Sequence, residues 1–353
     1  MSSGPYASLR SRLRRTPRVL LGLLLAIGFL VLAFREVEPA QLRQVLRQAE
    51  VGLLLAALAV GSANLLLRAA RWRVLLSGSG KVPFTLTFWV MTVGYIGNSL
   101  LPMRAGDLGR SYLIGQRAGM GGTFALATTL AERVLDVAFL VVVGGLSLLR
   151  HPLVPEWLSR GLVILAVVAS TGLTVLLAMP RIWDPLASRL ERIPRLSPTI
   201  RRVRGRWLDR FFEGLASIRH PGRMALFIGL TCALWFFDAV GTVLVARALG
   251  VELSLSAALV LLAALGASSA VPLTPGQIGV FQWVASSVLG SYGVPPEPAV
   301  LTAIALQAMN YLVLLAWGTV GVFRLGGPEI LRLLMLPPGR RAEQPSNSQS
   351  EGE

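Results

Sequence analysis

This chain predicts an all-α polytopic membrane protein with about six full transmembrane helices and two re-entrant broken-helix hairpins. Three observations predict it. The 353 residues are 54% hydrophobic and 15% charged, where a soluble domain carries about 25% charge. Mean hydropathy is +0.63. Apolar runs are continuous rather than alternating and recur almost to the end of the chain, which favours spanning helices over a β-barrel.

The net charge of +16 comes almost wholly from arginine, Lys81 being the sole lysine. In a soluble protein that balance would point to nucleic acid. Here the arginines gather between apolar runs, as the positive-inside pattern requires, so no nucleic-acid partner is expected. Cys232 is the single cysteine and lies inside an apolar run, leaving no intramolecular disulfide or thiolate metal site. His151 and His220 stand beside prolines outside the runs and read as surface residues. No metal and no other cofactor is expected.

Residues 1–18 form a basic arm with arginines at 10, 12, 14, 15 and 18. Residues 19–34 are apolar throughout and are followed by Arg35-Glu36-Val37-Glu38 instead of a small-residue cleavage site. They therefore read as a first crossing with a cytoplasmic N-terminus, not as a signal peptide. Residues 35–50 hold three arginines and three glutamates and fit an outside loop. The run 51–67 returns. Arg68, Arg71, Arg73 and Lys81 mark the cytoplasmic side, with Trp72 as an interfacial anchor.

The run 84–101 is long enough to count as a crossing, but the charge downstream argues otherwise. If it crosses, residues 180–223 fall outside, although they hold eleven arginines against four acids. Basic excess belongs inside. A hairpin over 84–117 that dips in and leaves on the same side repairs the parity. Its break at Pro102 and glycines 94, 97, 106 and 109 suit that shape. Irregular backbone is tolerated at membrane depth only where it is buried in protein or lines a cavity.

The runs 123–149 and 162–179 then cross outward and back. Within the cytoplasmic segment 180–223, Ile200, Val203, Trp207, Phe211, Leu215 and Ile218 recur every three or four residues. That spacing predicts an amphipathic helix on the anionic inner surface. The run 224–246 crosses outward with Asp238 inside it. Runs 256–271 and 278–289 flank Pro272-Leu-Thr-Pro275-Gly276 and are each shorter than the ~20 residues of a crossing. They predict a second hairpin, entering from outside. The run 300–323 returns, placing the C-terminus in the cytoplasm of a cell-membrane protein. Residues 19–323 form one transmembrane domain. Residues 324–353 form a polar tail whose end has the composition of a disordered segment. Broken helices in corresponding halves, entering from opposite faces, have the geometry of an inverted-repeat transporter.

Charged groups at membrane depth cost about 2.5–3.5 kcal/mol each on insertion scales and mark function by default. Arg104, Asp107 and Arg110 form one cluster, in which Asp107 would N-cap a helix starting near Leu108. Two guanidiniums beside a helix N-terminus suit a phosphate; a loop ion pair plus a cap is the plainer alternative. Glu132, Arg133 and Asp136 form another. Glu132 and Asp136 share a helix face, Arg133 reaches Asp136, and the group has net charge −1. An unpaired carboxylate requires a partner, for which Arg104 or Arg110 is the candidate. A buried structural ion network is the plainer reading. The second broken turn offers Pro272, Pro275, Gly276, Gly279 and Gln282, where free N–H groups would line a path or bind an anion. Asp238, Gln307 and Asn310 are further intramembrane polar groups that could face the same interior.

These motifs taken together resemble a flippase-like membrane family that includes the transmembrane region of lysylphosphatidylglycerol synthases, the multiple peptide resistance factors. The resemblance runs from about Val19 to Phe323. It rests on Arg68-x-x-Arg71-Trp72, Pro102-x-Arg104-x-Gly106-Asp107-x-x-Arg110, Glu132-Arg133-x-x-Asp136 and Pro272-x-x-Pro275-Gly276-x-Ile278-Gly279-Val280. It implies a lipid-handling membrane domain that, in some members, moves aminoacylated phosphatidylglycerol between leaflets. Asp107 stands where the family more often has Glu, and Gln277 and Gln282 where Gly and Glu are expected. The 353 residues leave no room for a soluble aminoacyl-transferase domain, so synthase activity is not expected.

Three functions follow as expectations. The first is a lipid flippase or lipid-binding transporter, with anionic or aminoacylated phospholipid as partner. It would be passive or ion-driven, because no G-x-x-x-x-G-K-[ST] motif is present. The second is a membrane-embedded lipid-modifying enzyme, which lacks a visible nucleophile–base set. The third is a structural or partner-recruiting membrane protein acting through segment 180–223.

Overall fold

The computed structural model describes residues 40, 44, 47–100, 105–150, 156–190, 208–270, 274 and 277–327. The basic arm, the run 19–34, Arg104, most of the second turn and the tail lie outside the described residues. Within them there are helices and turns and no strand. The helices are α1 (Val51–Leu76), α2 (Phe84–Leu100), α3 (Ala105–Arg117), α4 (Gly122–Arg150) and α5 (Glu156–Leu190). They continue as α6 (Asp209–Ala216), α7 (Pro221–Ala248), α8 (Leu255–Ala270), α9 (Val280–Ser291) and α10 (Pro296–Arg324).

Among the described residues, four segments are long and apolar enough to cross a membrane: α1, Ser159–Leu176 within α5, α7 and α10. Helix α4 has 29 residues and spans about 43 Å at 1.5 Å per residue, but its middle carries Glu132, Arg133 and Asp136. Val163, Ile164, Val167 and Val168 on α5 and Leu312, Leu315 and Phe323 on α10 are exposed. In a membrane protein such side chains face lipid, where exposure carries no hydrophobic penalty.

The bundle has two distinguishable ends. The Glu50 N–H donates to the Ala248 carbonyl at 2.8 Å, tying the start of α1 to the end of α7, so these helices run antiparallel. Gathered at the other end of α1 are Trp72 and Leu76, Val82 and Phe88 near the start of α2, Leu113 and Ile114 of α3, and Phe124 of α4. Val322 and Leu325, near the end of α10, complete that cluster. Arg117 donates to the Leu325 carbonyl, which fastens the end of α3 to the end of α10.

Both feet of the α2–α3 pair thus sit at one end of the bundle. Helix α3 has 13 residues, about 20 Å, short of a ~30 Å hydrocarbon core. The two helices are antiparallel and touch through their backbones: a Cβ on Gly106 would lie 1.9 Å from the Gly94 carbonyl oxygen. Helices α8 and α9 form a second pair at the opposite end. Val251 and Ala257 at its beginning and Val288 and Leu289 at its close pack with Ala246 of α7, Leu162 of α5 and Ala299 of α10.

Helix α6 departs from the expected surface role. Its apolar residue Leu215, with Ile218 just beyond, is buried against Leu75, Ala127, Ala131 and Phe227. Gly214 is so close that a Cβ there would meet the Phe124 carbonyl oxygen at 2.6 Å. The apolar spacing is satisfied by protein rather than by lipid over this part; Ile200, Val203 and Trp207 are outside the described residues.

A charged ring between α1, α3 and α4

Helix α4 supplies Glu132, Arg133 and Asp136, the first and last one turn apart on the same face. Close contact with α2 sets the position of α3. A Cβ at Gly94 would meet the Arg110 side chain at 2.7 Å, so the missing side chain makes room for Arg110. Asp107 receives a hydrogen bond from Asn98 of α2 at 3.1 Å, while its own backbone N–H donates to the Asn98 side-chain oxygen at 3.0 Å. Asp107 lies inside the first turn of α3, not at the N-cap. Ala105 already starts the helix, and the carboxylate turns to neighbouring helices.

Arg110 donates to Glu132 Oε2 at 3.0 Å and lies 3.1 Å from Asp107 Oδ1. The expected pairing of Glu132 with Arg110 is present, but a second partner comes from α1. Arg71 donates to Glu132 Oε1 at 2.7 Å and to Asp136 Oδ2 at 3.0 Å. Arg133 closes the circuit, 3.3 Å from Asp107 Oδ1 and 3.9 Å from Asp136 Oδ2. Six groups alternate in sign: Asp107, Arg110, Glu132, Arg71, Asp136, Arg133, and back to Asp107. Three guanidiniums balance three carboxylates, so the net −1 of the α4 triplet disappears.

The environment around the ring is apolar and aromatic. Arg71, Arg110 and Glu132 are fully buried. The Arg110 guanidinium lies 4.5 Å from the Trp72 ring centroid and 5.6 Å from that of Tyr95. Arg71 sits 5.1 Å from the Phe227 ring centroid. Such cation–π contacts add roughly 2 kcal/mol or more when desolvated. Trp72, expected at the membrane interface, is buried instead and donates its indole N–H to Thr128 at 3.3 Å.

Asp238 of α7 stands apart from the ring. Arg68 donates to it at 2.7 Å, and Asn64 is a further donor. In the second pair, Gly279 (φ 84°) opens α9, and its N–H donates to Gln282 Oε1 at 2.8 Å. Gln282 in turn donates to Gln307 of α10. Two amides satisfy each other where a buried carboxylate would need a cation. Asn310 is exposed. Arg104, Pro272, Pro275 and Gly276 lie outside the described residues.

Arg71 and Arg68 are the principal residues that the charge reading missed, because it used them to mark the cytoplasmic side. The motif Arg68-x-x-Arg71-Trp72, which helps carry the resemblance, was one signal, and the local pattern was another. The apolar pattern resumes after them with Val74, Leu75 and Leu76, so both arginines lie within a helix rather than beyond its end.

A family model described as lysylphosphatidylglycerol synthase TM region matches residues 19–318. A Haloferax volcanii protein described as glycosyltransferase AglD is 26% identical over an alignment covering 89% of this chain and 55% of that protein. The chain therefore spans about half the length of that relative. Two proteins of Methanothermobacter thermautotrophicus, each described as a UPF0104 membrane protein, are also similar. One is 23% identical, covering 80% of this chain and 86% of its own length; the other is 22% identical, covering 85% and 94%. No solved structure matches the chain. The match over residues 19–318 takes in every described helix through most of α10, and the chain belongs to the lysylphosphatidylglycerol synthase TM region family.

Proposed function

We propose that this membrane protein is a lipid flippase or lipid-binding transporter, moving phospholipid or other lipid-linked headgroups between the leaflets of the cytoplasmic membrane. The observation that carries the reading is the neutral ring of six charges where a broken helix pair meets α1 and α4. Ionisable groups buried between the helices of a membrane protein line substrate paths or hold helices together. A ring whose members can trade partners serves the first role without leaving a bare charge. Anionic or aminoacylated phospholipid is the partner this chemistry favours, through guanidinium–phosphate pairs and carboxylate–ammonium pairs.

The topology we propose has six crossings and two re-entrant hairpins, α2–α3 and α8–α9, related as an inverted repeat, with both termini cytoplasmic. The feet of the two pairs lie at opposite ends of the bundle, and three of the four helices have fewer than 17 residues. Single cysteines at exposed Ser79 and Gln116, in a chain with Cys232 replaced by alanine, are expected to react with an impermeant maleimide from the same side. Glu252 and Gly290, also exposed, are expected to react from the other. Opposite sides for Ser79 and Gln116 would make α2–α3 a crossing.

The functional test is leaflet exchange in liposomes holding the purified chain and fluorescent phosphatidylglycerol. Exchange well above that of empty vesicles is the expected result. The name of the Haloferax relative favours a second reading, a lipid-modifying enzyme. New lipid products in the same vesicles, without exchange, would select it.

A further inference from the structure

A ring of alternating charges can open at one member without stranding the others. Each carboxylate lies between two guanidiniums, so withdrawal of any one arginine leaves every carboxylate with at least one partner. The three arginines are not held alike. Arg71 and Arg110 are fully buried, have contacts of 2.7–3.1 Å to ring carboxylates and lie against aromatic rings. The Arg133 side chain is 28% exposed; it donates to both oxygens of Asp107, each at 3.3 Å, and lies 3.9 Å from Asp136. These are long beside the ≈ 2.7–2.9 Å of a good charge-assisted hydrogen bond. With Arg133 withdrawn, Asp107 keeps Arg110 and Asn98, and Asp136 keeps Arg71.

We infer that Arg133 is the member that leaves the ring to take a phosphate oxyanion, while Arg71, Glu132 and Arg110 stay in place and hold α1, α3 and α4 together. The phosphate offers two oxygens to the planar guanidinium fork in place of the two long 3.3 Å bonds to Asp107, which retains Arg110 and Asn98. Arg133 is already partly exposed, and its turning outward leaves no buried carboxylate bare, which is the step that makes opening a buried pair costly. Its occupant is a phosphodiester carried on a lipid or a free phosphate ion, since both present the same oxyanion. The lipid case rests on the headgroup reading above.

The test is native mass spectrometry of the purified full chain in micelles, comparing retained phosphatidylglycerol with retained monoglucosyl diacylglycerol, a lipid without phosphate. Arg133→Gln is expected to lower phosphatidylglycerol retention about tenfold and leave the glycolipid unchanged. Arg210→Gln, altering a surface pair 3.5 Å from Glu213, is expected to change neither. Equal retention of phosphatidylglycerol by wild type and Arg133→Gln would overturn the inference, as would equal loss of both lipids, which marks a structural role. Arg133→Lys keeps the charge but loses the fork and serves if the glutamine variant does not fold: weaker retention supports the inference, unchanged retention overturns it. Displacement of bound phosphatidylglycerol by millimolar inorganic phosphate assigns the site to the free ion as well; resistance assigns it to lipid. Arg133-dependent retention in a wild-type chain that exchanges no lipid would overturn the transport reading alone. Exchange with retention indifferent to Arg133 would overturn this inference alone.

Discussion

Glu132→Ala is expected to destabilise the protein by about 3–5 kcal/mol, the range for removing one partner of a buried ion pair, and to abolish any exchange activity. Glu132 is fully buried and accepts from Arg71 on one oxygen and from Arg110 on the other. Its removal leaves two buried guanidiniums sharing the two remaining carboxylates and a net +1 where the sum was zero. Neither arginine is free to reach water, since both are fully buried. Glu132→Gln keeps the shape and one acceptor oxygen, so a smaller loss is expected, on the order of the 1.5–3 kcal/mol of a hydrogen bond to a charged group. Unfolding in mixed micelles of rising SDS content measures both. A ranking of wild type, Gln, then Ala is the expected order; an alanine variant as stable as wild type would mean that the ring contributes nothing to holding α1, α3 and α4 together.

Gly106→Ala is expected to cost about 1–3 kcal/mol or more through overpacking, and to disturb the ring from a position outside it. A Cβ at Gly106 would lie 1.9 Å from the Gly94 carbonyl oxygen and 2.5 Å from the Asn98 backbone nitrogen. Both are backbone atoms of α2, and a backbone cannot rotate away as a side-chain tip can. Helix α3 must therefore shift, carrying Asp107 and Arg110 with it. Gly145→Ala on α4 is the control: nothing lies within 4 Å of its added Cβ, and a helical alanine gains about 0.5–1 kcal/mol over glycine. The same unfolding measurement should place Gly145→Ala at or above wild type and Gly106→Ala below it. Equal midpoints would mean that the α2–α3 contact tolerates a gap.

The architecture was legible where local chemistry determines it. Continuous apolar runs marked the long helices, and the Pro102 break with its glycines marked the α2–α3 pair, which glycine contacts at 94 and 106 now explain. Glu132 and Asp136, four apart on one helix, declared a shared face, and their excess charge called for a cation. Which cation could not be read locally. Arg110 lies 22 residues from Glu132, but Arg71 lies 61 from Glu132 and 65 from Asp136. Only the packing of α1 beside α4 brings Arg71 there. The pairing of Asp238 with Arg68 spans 170 residues and was hidden in the same way. The arginines of α1 were legible as charges but their partners were not, because a helix that ends in water and one that ends in an ion network share the same residue types. Gln282 was visible as a departure from the glutamate expected at that position. Its partner Gln307, 25 residues on in α10, explains why a neutral amide is stable there, and it leaves Asn310 on the exposed side.

The claim that the ring is the headgroup path is tested most directly by the rate of leaflet exchange of fluorescent phosphatidylglycerol in vesicles holding wild type, Asp136→Ala or Arg210→Ala at matched, folded amounts. Asp136 sits between Arg71 and Arg133 and is partly exposed, so its loss disables the ring at its accessible edge; Arg210 belongs to the surface. Wild type and Arg210→Ala are expected to exchange alike, with Asp136→Ala at least about tenfold slower, a barrier difference of about 1.4 kcal/mol. Exchange by Asp136→Ala as fast as wild type, or by wild type no faster than empty vesicles, would contradict the account.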